Sequence, residues 1–236
     1  MSEWNNPSTS NNLENPNLST FNTEGENSQN LPADNPPADR SYSIIDPIWE
    51  TLDPNPDPQI LYNQFNKIIF GGTLPTVDVK WSNRMTRSTG VCYHSLNKSG
   101  DCIGCRIRLS KKILELRRRK DMVESLLHEM IHVLLCSTNN MDPGDDHGPN
   151  FRLTMEVFNN SFGTNITISH TFYEEVEAVK RHWWECDGPC QNVVKRATNR
   201  APSSKERWFR EHEQTCGGSF IKTSEPEGPA RKRRRT

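Results

Sequence analysis

Leu127-His128-Glu129-Met130-Ile131-His132 sets two imidazoles four residues apart, with a carboxylate between them. On a helix, residues i and i+4 share a face, so His128 and His132 can converge on one Zn2+ ion. Glu129, one residue on from His128, then stands beside the metal, where it can take a proton from an attacking water. In isolation the motif is short, and a pair of surface or core histidines would read the same way. A catalytic zinc needs a third protein ligand and an open position. Residue chemistry leaves two candidates: His147, in the turn Asp145-Asp146-His147-Gly148, and Glu156, on the helix that follows. Asp145 or Asp146 could instead orient a ligating imidazole.

A second constellation lies near the C-terminus. Cys186-x3-Cys190 and His212-x3-Cys216 supply three thiolates and one imidazole in two close pairs. Four soft ligands with no open position suit a closed, structural zinc site. Between the pairs lie Lys195, Arg196, Arg200, Lys205, Arg207, Trp208, Phe209 and Arg210. Bases that neutralise phosphate beside rings that stack on nucleobases make a single-strand nucleic-acid surface. The plainer alternative is that Trp183, Trp184 and Trp208 pack a small zinc-stapled core. Cys92, His94, Cys102 and Cys105 are spaced irregularly for a third metal site.

The elements that must position these groups follow from patterning. Asp57-Pro58 reads as a cap and first-turn proline, followed by Leu61, Phe65, Ile68 and Ile69 at helical spacing and stopped by Gly71-Gly72. Thr76–Trp81 alternates as a strand, and Arg87–His94 and Cys102–Leu109 are two more. Ser110 is placed to cap a short helix, and Asp121 to cap the helix that carries the histidines to about Cys136. Pro149–Asn160 reads as another helix, and a charged helical stretch follows Tyr173. The predicted fold is α+β: a small sheet beside the active-site helix, with a C-terminal zinc-binding subdomain.

Composition bounds the rest. At 236 residues with 32% hydrophobic content, the chain holds one ordinary domain, a smaller unit and tails. Residues 1–45 carry six acids and one base, a net of −5, which leaves 46–236 at +4 against a total of −1. The first segment is Asn-, Ser- and Pro-rich and is predicted to be a disordered tail. Ordered structure is expected from Asp46, with domains at 46–180 and 181–222 and a basic tail at 223–236. The Arg231–Arg235 run suits nuclear localisation or DNA contact. No apolar run approaches the roughly 20 residues that span a bilayer. A reducing compartment is therefore expected, with the seven cysteines as free thiols or metal ligands.

His128-Glu129-Met130-Ile131-His132, Thr138-Asn139-Asn140 and His147-Gly148-Pro149-Asn150-Phe151 together resemble the SprT-like metalloprotease family, in its Spartan branch. The likeness extends through Trp49–Pro54, Gln64-Phe65-Asn66, Lys80-Trp81-Ser82, Ile107–Ser110 and Lys120-Asp121. It includes Trp183-Trp184-x-Cys186-x-Gly188-Pro189-Cys190, Val194–Arg200 and Cys216-Gly217-Gly218, and covers about residues 46–225. The resemblance implies a zincin-like fold, with His147 as third ligand and Cys186, Cys190, His212 and Cys216 on a structural zinc. It implies DNA contacts at Arg196 and Trp208, with Lys195 and Arg200 beside them. The segment between Cys190 and Lys195 is shorter than in vertebrate members and lacks their tyrosines. The activity implied is DNA-dependent cleavage of proteins crosslinked to DNA, histones included, in crosslink repair and damage tolerance, with autocatalytic cleavage. Its setting would be nuclear chromatin, on single-stranded DNA and single/double-strand junctions. PCNA, ubiquitin and an AAA segregase are partners of longer members, and no second cysteine/histidine set or segregase motif follows Cys216. A short form, a truncation and a member that finds substrates by DNA alone are all consistent with that.

Overall fold

The computed structural model describes residues 42–225; the expected N-terminal tail up to Ser41 and the Arg231–Arg235 run lie outside them. Within the unit that begins at Ile44, Trp49–Leu52 forms a single turn, α1, and Pro58–Ile68 forms α2. The Asp57 carboxylate accepts from Gln59 N at 2.8 Å and Ile60 N at 3.0 Å, the cap that the Asp-Pro pair predicts. Three strands follow, β1 (Asp78–Ser82), β2 (Gly90–Leu96) and β3 (Cys102–Ser110). Their order is β1-β3-β2, with β1 parallel and β2 antiparallel to β3, so β2 is an edge. Ser110 ends β3 and caps α3 (Lys111–Leu114) through Ile113 N, while its hydroxyl donates to Met85 O at 2.9 Å.

The long helix α4 (Arg119–Ser137) is the centre of the fold. Met122, Val123, Leu126, Leu127, Met130, Ile131 and Val133 are all buried, which leaves it no broad solvent face. It packs against β2, β3, α2 and α5 (Pro149–Phe162), and its core partners include Leu61, Phe65, Ile107, Leu109 and Phe151.

Its N-terminus departs from the expected Asp121 cap. The helix starts three residues earlier, with Arg118 in the cap position, and its first N–H groups are met by a distant side chain. The Glu50 carboxylate accepts from Arg119 N at 3.0 Å and Lys120 N at 3.4 Å. Asp121 sits within the first turn and pairs with Arg117 at 2.9 Å. Arg119, with its side chain 5% exposed, donates to Asp53 Oδ2 and Ile44 O and lies over the Trp49 ring. The Trp49–Pro54 stretch is thus a clasp on α4, and Ile44, two residues before the expected start of order, is already core.

After α6 (Tyr173–Ala178), strands β4 (His182–Cys186), β5 (Val193–Arg196) and β6 (Phe220–Ser224) form an antiparallel sheet in the order β5-β4-β6. Helix α7 (Arg207–Thr215) lies between β5 and β6 in the chain. This sheet was not legible as strands, and its last strand runs two residues beyond the expected boundary at 222.

The cysteines also depart from expectation. Cys102, at the start of β3, is disulfide-bonded to Cys136 in the last turns of α4, across a Cα–Cα distance of 5.4 Å. The physical reason is tertiary: the strand end and the helix end meet, a contact that compartment reasoning cannot see. Cys92, Cys105, Cys186, Cys190 and Cys216 are free thiols.

Candidate active site

His128 and His132 project from one face of α4, as helical spacing requires. His147 reaches them from the turn before α5. The three Nε2 atoms form a near-equilateral triangle, with sides of 3.2 Å (132–128), 3.2 Å (132–147) and 3.0 Å (147–128). Nitrogens so spaced suit zinc, which bonds imidazole at about 2.0–2.1 Å, and three such donors would leave it one open position. Glu156, the other sequence candidate, is exposed on α5 and stands outside this cluster.

Tautomers favour the same use. Nδ1 of His128 lies 2.8 Å from the Thr167 carbonyl, which can only accept, so Nδ1 carries the proton and Nε2 offers its lone pair. Burial lowers the His128 pKa to about 4 and that of His132 to about 3, each with help from neighbouring imidazoles, so both rings are neutral at neutral pH. His147 is lowered too, chiefly by burial, with Asp146 and Asp145 pulling the other way.

Supporting residues fix the His128 ring and the turn that carries His147. The Thr167 carbonyl is delivered by a strapped segment: Asn159 accepts from Ile166 N at 2.7 Å and donates to Ile166 O at 2.9 Å, and Glu124 accepts from Asn165 N at 2.7 Å. Asp145 accepts from the backbone N of His147 at 3.0 Å, so it shapes the turn rather than orienting an imidazole. Asp142 caps α5 through Asn150 N at 2.9 Å, and it packs so closely on Gly148 that a Cβ there would come within 2.5 Å of the Asp142 Cβ. Phe151, fully buried, floors the site with ring centroids 4.8, 4.6 and 4.7 Å from His128, His132 and His147.

Glu129 is 5% exposed and faces β2. Burial pushes its carboxyl up to about 8, opposed by a hydrogen bond from the Cys92 backbone N–H. A dication held by the adjacent histidines would pull it back toward the ionised form. Gly90 makes room for it: a Cβ there would stand 2.5 Å from Glu129 Oε1 and 2.8 Å from its Cγ. Sequence reasoning missed Gly90, Thr167, Phe151 and the Cys92 N–H. A glycine inside a strand is the one signal that could have pointed to the first. His94, also on β2, has a buried Nδ1 with no protein partner, and it is among the neighbours that hold the His132 pKa down.

In the C-terminal unit, Cys186, Cys190, His212 and Cys216 place their ligand atoms within 4.8 Å of one another. Cys186 Sγ lies 3.6 Å from Cys216 Sγ and 3.2 Å from His212 Nε2, the separations that ligands about 2.0–2.3 Å from a common zinc adopt. Glycines let the two ligand-bearing turns meet: a Cβ on Gly188 would stand 2.8 Å from Cys216 Sγ, and one on Gly218 would stand 2.5 Å from Cys186 Sγ. Backbone N–H groups of Cys190 and Gly218 draw the Cys216 thiol down, toward the thiolate.

The tryptophans divide between the two roles the sequence leaves open. Trp184 is buried at 3% exposure, whereas Trp183 and Trp208 are 38% and 40% exposed. Lys195 lies over the Trp183 ring at 4.2 Å, and Arg200 is exposed. Arg196 is less available than its place in the motif suggests, being paired with Glu206 at 2.5 Å and only 18% exposed.

The SprT-like family model matches residues 59–170, and that of the Spartan-like zinc binding domain matches residues 181–222. The DNA-dependent metalloprotease SPRTN of Homo sapiens is 50% identical over 201 residues, 83% of this chain and 40% of its own. That of Danio rerio is 49% identical over 203 residues, 84% of this chain and 31% of its own. The DNA-dependent metalloprotease dvc-1 of Caenorhabditis elegans is 47% identical over 192 residues, 79% of this chain and 52% of its own. The chain therefore spans between about a third and a half of the relatives it matches. With both models aligned in order on its two sites, the chain belongs to the SprT-like family, with a Spartan-like zinc binding domain after the SprT-like region.

Proposed function

We propose that this chain is a DNA-dependent zinc endopeptidase that cleaves proteins covalently crosslinked to DNA. The carrying observation is the triangle of three Nε2 atoms beside a buried carboxylate, followed in the chain by a zinc unit with exposed bases and rings. His128, His132 and His147 would hold a catalytic zinc, and Cys186, Cys190, His212 and Cys216 a structural one. When bound, the catalytic ion supplies polarisation of the scissile carbonyl and acidification of water.

The residues supply the rest. Glu129, held by the Cys92 N–H against β2, takes the proton from the attacking water and delivers it to the leaving amine nitrogen. His128 keeps its donor nitrogen aimed by Thr167, so its ring does not turn during the cycle. Lys195, Arg200, Trp183 and Trp208 bind single-stranded DNA or a junction by phosphate neutralisation and stacking, with Arg196 holding Glu206 beside them. Restriction of cleavage to proteins on the same DNA follows from proximity and needs little side-chain specificity. Its place of action would be nuclear chromatin, with crosslinked proteins and histones as substrates.

Purified zinc-loaded protein is incubated with histone, with and without single-stranded DNA. Cleavage should require the DNA and should vanish in Glu129→Gln, which retains two zinc ions per chain. Persistent DNA-stimulated cleavage by that variant sinks the assignment.

A further inference from the structure

Three sulfurs that neither zinc site uses converge at the end of α4. Cys102 is bonded to Cys136, and Cys105 Sγ lies 3.6 Å from Cys102 Sγ. All three lie within 4.8 Å of one another. Cys92 stands behind them, its thiol hydrogen-bonded to Cys105 and drawing the Cys105 thiol toward the thiolate. A cross-link that only braces the fold needs two sulfurs; here Cys102 has two partners within reach. Exposure is graded, with Cys136 buried and Cys102 and Cys105 half-buried, so a solution reagent meets Cys102 or Cys105 before Cys136. Cys136 sits one helical turn beyond His132, and Cys102 N donates to Asn139, the left-handed residue just after α4.

We propose that Cys102, Cys105 and Cys136 form a thiol–disulfide exchange site at the C-terminal end of the active-site helix, whose co-reactant is a low-molecular-weight disulfide such as glutathione disulfide. In the oxidising direction the Cys102 thiolate attacks one glutathione sulfur, breaking its S–S bond and expelling a glutathione thiolate. The Cys136 thiolate then attacks Cys102 Sγ and expels the second. Two protein thiols are oxidised, one disulfide is reduced to two glutathione thiols, and the two protons pass to those thiols. In the exchange step the Cys105 thiolate attacks Cys102 Sγ and releases the Cys136 thiolate. That moves the link to Cys102–Cys105 with no net redox change and frees the helix end.

The test is a disulfide map of the full, zinc-loaded chain poised in glutathione buffers, acid-quenched, alkylated and digested. Oxidising poise should give the Cys102–Cys136 peptide and reducing poise the two alkylated peptides. Cys136→Ala should move the link to Cys102–Cys105, and Cys102→Ala should remove both. Separate alkylation of Cys102 and Cys136 in the wild-type protein at every poise overturns the proposal, and needs no variant to fold. So does a third equivalent of bound zinc in the reduced protein, since the thiols would then be metal ligands. No readout depends on proteolysis, so the result stands apart from the proposed activity.

Discussion

Replacing Gly90 with alanine tests whether β2 sets the position of the proposed general base. The added Cβ would stand 2.8 Å from Glu129 Cγ and 2.9 Å from its Cδ, as well as 2.5 Å from Oε1. Carbon–carbon contacts settle at about 3.5 Å or more, so the side chain must retreat by roughly 0.6–0.7 Å. A surface glutamate would swing away at no cost. Glu129 is 5% exposed and tied to the Cys92 N–H, so the retreat must strain its rotamer, break that bond or push β2 outward. A misplacement near 1 Å in a catalytic constellation costs about 100-fold, so a fall in kcat on the order of 10- to 100-fold is expected. That equals about 1.4–2.7 kcal/mol of barrier. Overpacking costs about 1–3 kcal/mol of stability, and relief from the glycine's backbone entropy returns about 0.5–1 kcal/mol, so the variant should still fold. The assay is DNA-stimulated histone cleavage at saturating substrate, with zinc content and urea denaturation measured on the same preparation. Gly104→Ala is the control, since a Cβ there meets nothing within 4 Å. A Gly90→Ala enzyme with unchanged kcat and two bound zinc ions would refute the argument that the strand holds the base.

The two candidate third ligands separate by metal analysis: His147→Ala should fall from two zinc ions per chain to one, while Glu156→Ala should keep both. Retention of two zinc ions by His147→Ala would show that the triangle of nitrogens is not the ligand set. Glu50→Ala removes the acceptor for Arg119 N and Lys120 N, a lost cap of about 1 kcal/mol that a shift in the urea midpoint should register. An unshifted midpoint would mean that water caps α4 equally well. Lys195→Ala and Arg200→Ala should each lower the salt dependence of single-stranded DNA binding by somewhat under one unit of log–log slope, through loss of one phosphate contact. An unchanged slope in both would place the DNA elsewhere.

What the sequence disclosed and what it hid divide by distance along the chain. The Asp57 and Ser110 caps were readable because a cap and the N–H groups it meets lie within three residues. The His128/His132 pair was readable because one helical turn fixes its geometry. The Cys186–Cys216 unit was readable because zinc ligand types and paired spacing are restrictive. The misread cap and the missed cross-link are both cases of a distant partner. Asp121 was the best local candidate for a cap, but Glu50, 69 residues before Arg119, supplies those acceptors. The pairing of Cys102 with Cys136 spans 34 residues and depends on where β3 ends against α4. Thr167 acts on His128 through a carbonyl that every residue type carries, so its identity holds no signal.

The same division orders the site itself. Helical spacing brings two of the three nitrogens together, but it cannot aim the rings or seat the third. Aim comes from the Thr167 carbonyl, which Asn159 and Glu124 hold in place from α5 and α4. The third nitrogen rides on a turn, and turns are ordinarily the mobile part of a site. Here Asp145 fixes the turn at His147 N, Asp142 fixes it at the first residues of α5, and Phe151 packs under all three rings. His147 is thereby held by the same packed layer that holds α4. A substitution at Asp142 or Phe151 should therefore lower the zinc content measured per chain without touching any of the three proposed ligands, for the reason that the His147 turn and the helix share one floor.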